Sequence, residues 1–289
     1  MTNPSPPFFT YFSIKGLLTE ARQKLADVSG SAALDAELLL AECLGKSQTY
    51  LHTWPEKNVT ARQKECFQKL IQKRLEDYPV AYILGKKAFW TLDLRVTTDV
   101  LVPRPETELL VETALQKISN TEKPQILDLG TGSGAIALAI ASERPDAIVC
   151  ASDSSQAALK IAEYNARKNG LDAQLRFIQS NWFSNIKPQR FDLIVSNPPY
   201  IAPDDPHLQG SIRHEPQLAL TAANSGMADI EQIIANAPDF LKTNAWIILE
   251  HGYDQAKKTQ QLFSQHHYKE IESRKDLNNL LRITLACRI

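Results

Sequence analysis

Asn197-Pro198-Pro199-Tyr200 closes the apolar run Phe191-Asp192-Leu193-Ile194-Val195-Ser196, and residues of these types in this order could do one particular kind of chemistry. A planar, conjugated NH2 group is a poor nucleophile because its lone pair is delocalised. An asparagine side-chain carbonyl and a backbone carbonyl held rigid by proline can each accept one of its N–H bonds. That arrangement localises electron density on nitrogen and aims it at an electrophile. A tyrosine ring alongside can stack on a flat amide or base. The four residues therefore suit methyl transfer to nitrogen, with Asn197, Pro198 and Tyr200 as catalytic candidates and Pro199 completing the substrate clamp. The plain alternative is a proline-rich turn after a buried strand.

A second set of residues lies upstream. Gln125-Ile126-Leu127-Asp128-Leu129 reads as a short buried strand, Gly130-Thr131-Gly132-Ser133-Gly134 as a loop, and Ala135 to Ala141 as a buried helix. That order brings backbone N–H groups and a helix N-terminus close to a ligand. A second strand ends at Asp153, about 20 residues beyond the first glycine, the separation expected of an acid that binds ribose hydroxyls. The loop also satisfies the dinucleotide fingerprint with Ala135 in its last slot, so the glycines alone leave a nicotinamide or flavin cofactor open. Asp128 stands where its carboxylate could orient the loop or meet the cationic methionine portion of a ligand. Asn-Pro-Pro-Tyr has no evident role in hydride transfer. Taken together, the two motifs favour S-adenosylmethionine over NAD.

These motifs need a scaffold, and the chain is long enough at 289 residues for two domains with separate cores. Residues 1–84 read as a helical domain, with helices near 13–28, 31–44 and 60–78 and a proline-rich tail, expected to be frayed, over 1–7. Thr60 and Gln63 have capping-box spacing. Residues 85–102 read as a strand or hairpin linker, and 103–289 as an α/β domain. In the latter, strands near 125–130, 147–153, 173–179, 191–196 and 245–250 alternate with helices near 107–118, 134–143, 155–168, 226–241 and 254–266. Two further strands, near 268–274 and 280–288, are joined too tightly for a helical crossover and should be antiparallel. The expected result is a seven-stranded mixed sheet with helices on both faces, binding its cofactor where strand order switches. Glu106 and Glu108 suit a first helical turn, and a ligand role for them stands open beside that reading.

Net charge is −1, so no global field drives the chain onto nucleic acid. No basic segment precedes an apolar core at the N-terminus, and no apolar run approaches the roughly 20 residues that span a bilayer. Cys43, Cys66, Cys150 and Cys287 fit no zinc spacing and are expected as four reduced thiols of a cytosolic protein. The six histidines form no repeated metal pattern, so no metal is expected.

The chain resembles the release-factor glutamine N5-methyltransferases of the PrmC/HemK family over nearly its whole length. The resemblance rests on Phe89-Trp90 with Leu92-Asp93-Leu94, on Val102-Pro103-Arg104-Pro105-Glu106-Thr107-Glu108, and on the Asp128 to Gly134 segment. Asn181-Trp182-Phe183, Asn197 to Tyr200, Glu215-Pro216, Glu250-His251-Gly252 with Gln255, and Lys275-Asp276-Leu277 complete it. It implies a Rossmann-like class I S-adenosylmethionine-dependent methyltransferase fold behind an N-terminal helical bundle that docks the substrate. It further implies methylation of the glutamine amide in the Gly-Gly-Gln tip of class I peptide chain release factors, yielding S-adenosylhomocysteine. By resemblance, Gly130, Thr131, Gly132, Ser133 and Gly134 line the cofactor, Asp153 holds its ribose, Trp182 packs near adenine, and Asn197 touches both cofactor and glutamine. Pro198 and Tyr200 flank the glutamine amide, and Phe89 lies near it or the methyl group. Asn181 stands where many relatives carry aspartate; its carbonyl can still accept from adenine. A monomeric, cytoplasmic enzyme is expected. The competing substrates are a ribosomal-protein glutamine and, further off, DNA adenine N6, whose exocyclic amine is equally planar; a catalytically idle binding module is the third class.

Overall fold

The computed structural model describes residues 12–289, so the tail expected over 1–7 lies outside the described residues. Two compact units follow, one ending at Leu84 and the other running Gly85–Ile289.

The first unit is helical: α1 (Ile14–Leu25), α2 (Ala32–Leu44), α3 (Gln48–Thr53), α4 (Ala61–Leu75) and α5 (Val80–Leu84). Leu17, Leu25, Leu39, Leu40, Phe67 and Ile71, spaced at helical intervals in the sequence, form its core. Thr60 and Gln63 close the capping box that their spacing predicts, the Gln63 amide donating to Thr60 Oγ1 at 3.2 Å and the Thr60 amide to Gln63 Oε1 at 2.9 Å. The short helices α3 and α5 lack a sequence signal long enough to show periodicity. One expectation is corrected here. Cys43 in α2 and Cys66 in α4 are joined as a disulfide with Cα atoms 5.9 Å apart, whereas Cys150 and Cys287 are free and buried.

The second unit opens with a hairpin, β1 (Lys86–Phe89) and β2 (Leu92–Arg95), followed by α6 (Glu108–Lys117). The segment 85–102, expected as a linker, belongs to this unit. Its Phe89 and Leu94 sit in one apolar cluster with Leu110 and Val111 of α6. Burial of those side chains removes the freedom that a linker needs. Asn165 fastens the hairpin from behind, accepting from the Arg95 amide at 2.7 Å and donating to Arg95 O at 3.0 Å and Ser133 O at 2.9 Å.

The remaining strands form one sheet. They are β3 (Gln125–Leu129), β4 (Ile148–Asp153), β5 (Leu175–Gln179), β6 (Phe191–Ser196), β7 (Leu241–Glu250), β8 (Lys269–Lys275) and β9 (Leu281–Cys287), in spatial order β5-β4-β3-β6-β7-β9-β8. The first five are parallel, and β9 runs antiparallel between β7 and β8. Helices α7 (Ala135–Glu143), α8 (Gln156–Lys168), α9 (Ala223–Gly226), α10 (Ala228–Asn236) and α11 (Ala256–Gln265) complete the unit. Alternate strand residues serve opposite faces: Ile126, Leu193 and Val195 join the cluster with α6 and α7, while Leu127, Leu129 and Ile194 join one with α10. The helix expected over 226–241 is shorter, because Pro238 supplies no N–H and the chain turns through Ala237–Asp239 into β7. Among the described residues, no helix is long and apolar enough to cross a membrane.

Candidate active site

A cavity of about 600 Å³ opens at the C-terminal ends of β3, β4, β5 and β6, around the switch in strand order between β3 and β6. Each strand delivers one element of its wall. The loop after β3 supplies Gly130 to Ser133, β4 ends in Asp153, Trp182 follows β5, and Asn197 follows β6.

The glycine loop is pinned by its neighbour strand: the Gly130 and Thr131 amides both donate to Ser152 O, at 2.8 and 2.9 Å. Gly132 has φ +55, and a Cβ there would meet no atom within 4 Å. The cradle is therefore open, and a ligand can approach the backbone directly. Asp153 lies against this cradle, its Oδ2 accepting from the Gly132 amide at 2.9 Å and its Oδ1 from the Ser155 amide at 2.8 Å. Burial raises its pKa, opposed by these amide bonds. Trp182 closes the opposite wall with its ring 3.5 Å from where a Gly130 Cβ would stand. Its indole N–H donates to Asp229 Oδ1 at 3.2 Å, which fixes the ring plane.

Asn197 is oriented by a residue distant in sequence. Its Nδ2 donates to Thr107 Oγ1 at 3.2 Å, and no bond engages its Oδ1 among the described residues. An uncommitted amide carbonyl thus stands at the cavity wall. The backbone behind it is held just as firmly. Gln255 Nε2 donates to Tyr200 O at 2.9 Å while Gln255 Oε1 accepts from the Gly252 amide at 2.8 Å. Gly226 packs so close that a Cβ would collide with the Tyr200 carbonyl, which is why no side chain fits there. Across the mouth, Glu215 accepts from Arg104 at 2.5 Å and from the Val102 amide at 3.0 Å, binding the 201–225 segment to the strand-exit loop before α6.

Of the residues expected from sequence, Gly130, Thr131, Gly132, Ser133, Asp153, Trp182, Asn197 and Pro199 line this cavity. The others are placed elsewhere. Phe89 is only 2% exposed, in the core of the hairpin and α6, and does not line this cavity. Gly134 caps α7 with φ +86 and packs against Leu138 and Ala162. Pro198 is buried between the lining residues Asn197 and Pro199. Tyr200 points its hydroxyl away to Glu250 Oε1 at 3.4 Å. Sequence reasoning missed Thr107, Arg104, Glu215 and Asp229 as parts of the site; the first three lay in quoted motifs, without assigned roles.

Asp128 is fully buried beneath the loop. Its Oδ2 accepts from Thr131 Oγ1 at 2.7 Å and its Oδ1 has no partner. Burial pushes its carboxyl up to about 7, against the pull of the Thr131 hydroxyl and the Ala137 amide. The unfolded chain releases this proton near the ordinary value of 3.8, the folded chain only near 7. Between those values the folded state binds more protons, so stability must fall as pH rises through that window and level off above it. Asp128→Asn is expected to flatten that decline in melting temperature, measured from pH 4 to 8 without ligand; an unchanged slope would contradict the assignment. Glu250, whose carboxyl burial also raises to about 7, leaves a residual slope.

The open cradle, the acid beside it and the indole wall together fit a nucleoside-bearing ligand. Among the described residues, no group of three or more His, Cys, Asp or Glu is placed to hold a metal ion.

The chain is similar to known proteins over most of its length. Residues 16–85 match the PrmC N-terminal domain, and residues 105–215 the methyltransferase small domain. The chain is 46% identical over 276 residues to a release factor glutamine methyltransferase of Coxiella burnetii, covering 96% of this chain and 99% of that one. It is 46% identical over 264 residues to a protein of the same name from Shewanella oneidensis, covering 91% and 92%. Among solved structures, a methyltransferase from Pyrococcus furiosus superposes with TM-score 0.53 at 15% identity, covering 75% of this chain and 96% of that one.

Proposed function

This chain belongs to the release factor glutamine methyltransferase family, and from that membership we propose that it methylates the side-chain amide nitrogen of the glutamine in the Gly-Gly-Gln segment of class I peptide chain release factors. Its second unit has the class I S-adenosylmethionine-dependent methyltransferase fold expected from the sequence, with S-adenosylmethionine as cofactor.

The observation that carries the proposal is the Asn197 amide. Its nitrogen is committed to Thr107, so its oxygen is what the site offers to an incoming NH2 group. In this proposal Asn197 Oδ1 and the Pro198 carbonyl accept the two N–H bonds of the target glutamine. The pair holds the carboxamide rigid and concentrates electron density on its nitrogen. Gly130 to Ser133 and Asp153 hold the amino-acid and ribose portions of the cofactor, and Trp182 covers its base. When bound, S-adenosylmethionine supplies an electrophilic methyl group on a cationic sulfur. That positive charge would favour the ionised form of Asp128, buried under the loop. Once the nitrogen has taken the methyl it carries a positive charge and one proton too many; that cation is strongly acidic and gives the proton to water, so the reaction needs no strong base.

The helical unit ending at Leu84 docks the protein substrate in this proposal, supported by its match to the PrmC N-terminal domain. The working unit is a monomer in the cytoplasm that binds no nucleic acid stably. The test is transfer of labelled methyl from S-adenosylmethionine to purified release factor, ribosomal protein and duplex DNA in parallel. Label is expected in the release factor alone, and lost when its Gly-Gly-Gln becomes Gly-Gly-Ala. Label in ribosomal protein or DNA instead would redirect the proposal to those substrates.

A further inference from the structure

We propose that Gln255 is a positioning residue for methyl transfer, fastening the Asn-Pro-Pro-Tyr segment by its last carbonyl and so setting where the Pro198 carbonyl stands. This rests on the reading of Asn197 Oδ1 and the Pro198 carbonyl as acceptors of the target amide, and deepens it. Pro198 and Pro199 carry no N–H, so the middle of the segment offers the scaffold no donor by which to be held. It must be fixed from its ends. At the near end Ser196 pairs with Leu129 in the sheet, and its hydroxyl donates to Leu129 O at 2.7 Å. At the far end the Tyr200 carbonyl sits in a niche between Gly226 and Gln255. A Cβ on Gly226 would strike that carbonyl and stand 2.8 Å from Gln255 Nε2. Gln255 is buried; its Nε2 donates to Tyr200 O at 2.9 Å and to Ser225 O at 3.4 Å, and its Oε1 accepts from the Gly252 amide at 2.8 Å. One side chain thus ties the segment to α9 and to the turn between β7 and α11. The two proline rings fix φ at Pro198 and Pro199, so the Pro198 carbonyl has little freedom to move apart from the Tyr200 carbonyl.

The orientation of the Gln255 amide is determined by its partners. Reversed, it would set N–H against N–H at Gly252 and carbonyl against carbonyl at Tyr200. The Gly252 peptide is held in turn by His251, which is fully buried, with Nδ1 2.8 Å from Gly252 O and Nε2 2.7 Å from Thr284 Oγ1. A carbonyl oxygen only accepts, so Nδ1 carries a proton and donates to it. Burial holds the imidazole pKa below its ordinary value, so at neutral pH the ring is uncharged and Nε2 accepts from the Thr284 hydroxyl. Ser273 Oγ then gives its proton to Thr284 Oγ1 at 2.7 Å and receives one from Gln260 Nε2 at 2.8 Å. From Gln260 to Gly252 every proton points the same way. Buried chains of this kind rigidify when they are complete. Transfer in line tolerates little error, since a misplacement of about 1 Å costs on the order of a hundredfold in rate.

Gln255→Met and Gln255→Glu test this, with Asn197→Ala beside them. Each is assayed for kcat on release factor from pH 6 to pH 9, for S-adenosylmethionine affinity by calorimetry over the same range, and for melting temperature. Gln255→Met keeps the length without the bonds, and is expected to lower kcat roughly 10- to 100-fold at every pH with cofactor affinity within about threefold. Gln255→Glu keeps the shape. Ionised, it turns an oxygen on the Tyr200 carbonyl and should be as slow as Gln255→Met; protonated, it donates there while still accepting from Gly252. Its kcat relative to the parent should therefore climb at least about fivefold from pH 9 to pH 6, as the buried carboxyl takes up its proton. Tyr200, Glu250, His251, Asp254 and Arg282 are the charged or titratable groups about this turn. They are present in the parent as well, and the ratio removes them. A Gln255→Met enzyme at parental kcat overturns the inference, as does a Gln255→Glu ratio flat with pH. A loss of cofactor affinity equal to the loss of kcat also overturns it, because a merely deformed site loses both. If Asn197→Ala is inactive while Gln255→Met is not, only the positioning role falls. If Asn197→Ala is itself fully active, the acceptor reading falls with it.

Discussion

Asn197→Ala is expected to lower the turnover number for glutamine methylation by roughly a hundred- to a thousandfold, the range typical for loss of one preorganised hydrogen-bonding group at a reacting centre. The cofactor affinity should move far less. Gly130 to Ser133, Asp153 and Trp182 line the cavity, and the hydrogen bonds that hold them go to residues other than Asn197, among them Asp128, Ser152, Ser155, Asn165 and Asp229. The Asn197 side chain instead answers to Thr107 alone. Its bond to the target amide strengthens as the nitrogen loses conjugation and its N–H groups become better donors. An interaction that is stronger in the transition state than in the ground state appears in kcat rather than in binding. The check is steady-state kinetics on the protein substrate, paired with calorimetric titration of S-adenosylmethionine into the same variant. Near-parental turnover in the alanine enzyme would remove the amide clamp from the mechanism.

The parts of this site that could be read from the sequence are those whose geometry is local. Strand β3, its glycine loop and α7 are contiguous, and the cradle they form is fixed by three glycines at positive φ and one neighbouring strand. Asp153 was legible for the same reason, since a β-α-β unit places the end of its second strand beside the first loop. Thr107 was not. It lies 90 residues from Asn197, and only the pairing of β6 with β3 and β7 brings the two together. Read locally, the Pro105 to Glu108 segment shows acids at a helix start, and the threonine between them carries no signal.

Phe89 shows the opposite failure. Its resemblance to a family motif suggested a place near the reaction, but the antiparallel register Phe89↔Leu92 turns it into the core with Leu94. Sequence alternation identifies the two faces of a hairpin without saying which one is covered. The Cys43–Cys66 pair was invisible for a similar reason, because helix packing, not spacing, sets the 5.9 Å between their Cα atoms. Pro238 was a local signal against the overlong helix at 226–241, and there the apolar periodicity of Ile230, Ile233 and Ile234 outweighed it wrongly.

The second large effect falls on the other side of the reaction. Asp153→Ala is expected to weaken S-adenosylmethionine binding by roughly a hundredfold, from the loss of charge-assisted hydrogen bonds worth about 1.5–3 kcal/mol each. Each carboxylate oxygen of Asp153 accepts one backbone amide, from Gly132 and from Ser155, and each retains a lone pair directed to other donors. A ribose diol supplies two hydroxyls in that geometry. In the proposed reading the same side chain holds the open cradle in place and takes the ligand that fills it. Asp153→Asn should be nearly as damaging, since its amide nitrogen would have to face one of the two N–H donors. At saturating cofactor, kcat should survive much better than in Asn197→Ala, because Asp153 does not touch the target amide. Burial raises the Asp153 pKa, and the ionised form is the one that accepts. Affinity should accordingly fall with acid at a pH above that at which an exposed aspartate protonates, and calorimetry across an acid series would record it. A cofactor affinity indifferent to both the substitution and the acid series would show that the ribose is held elsewhere.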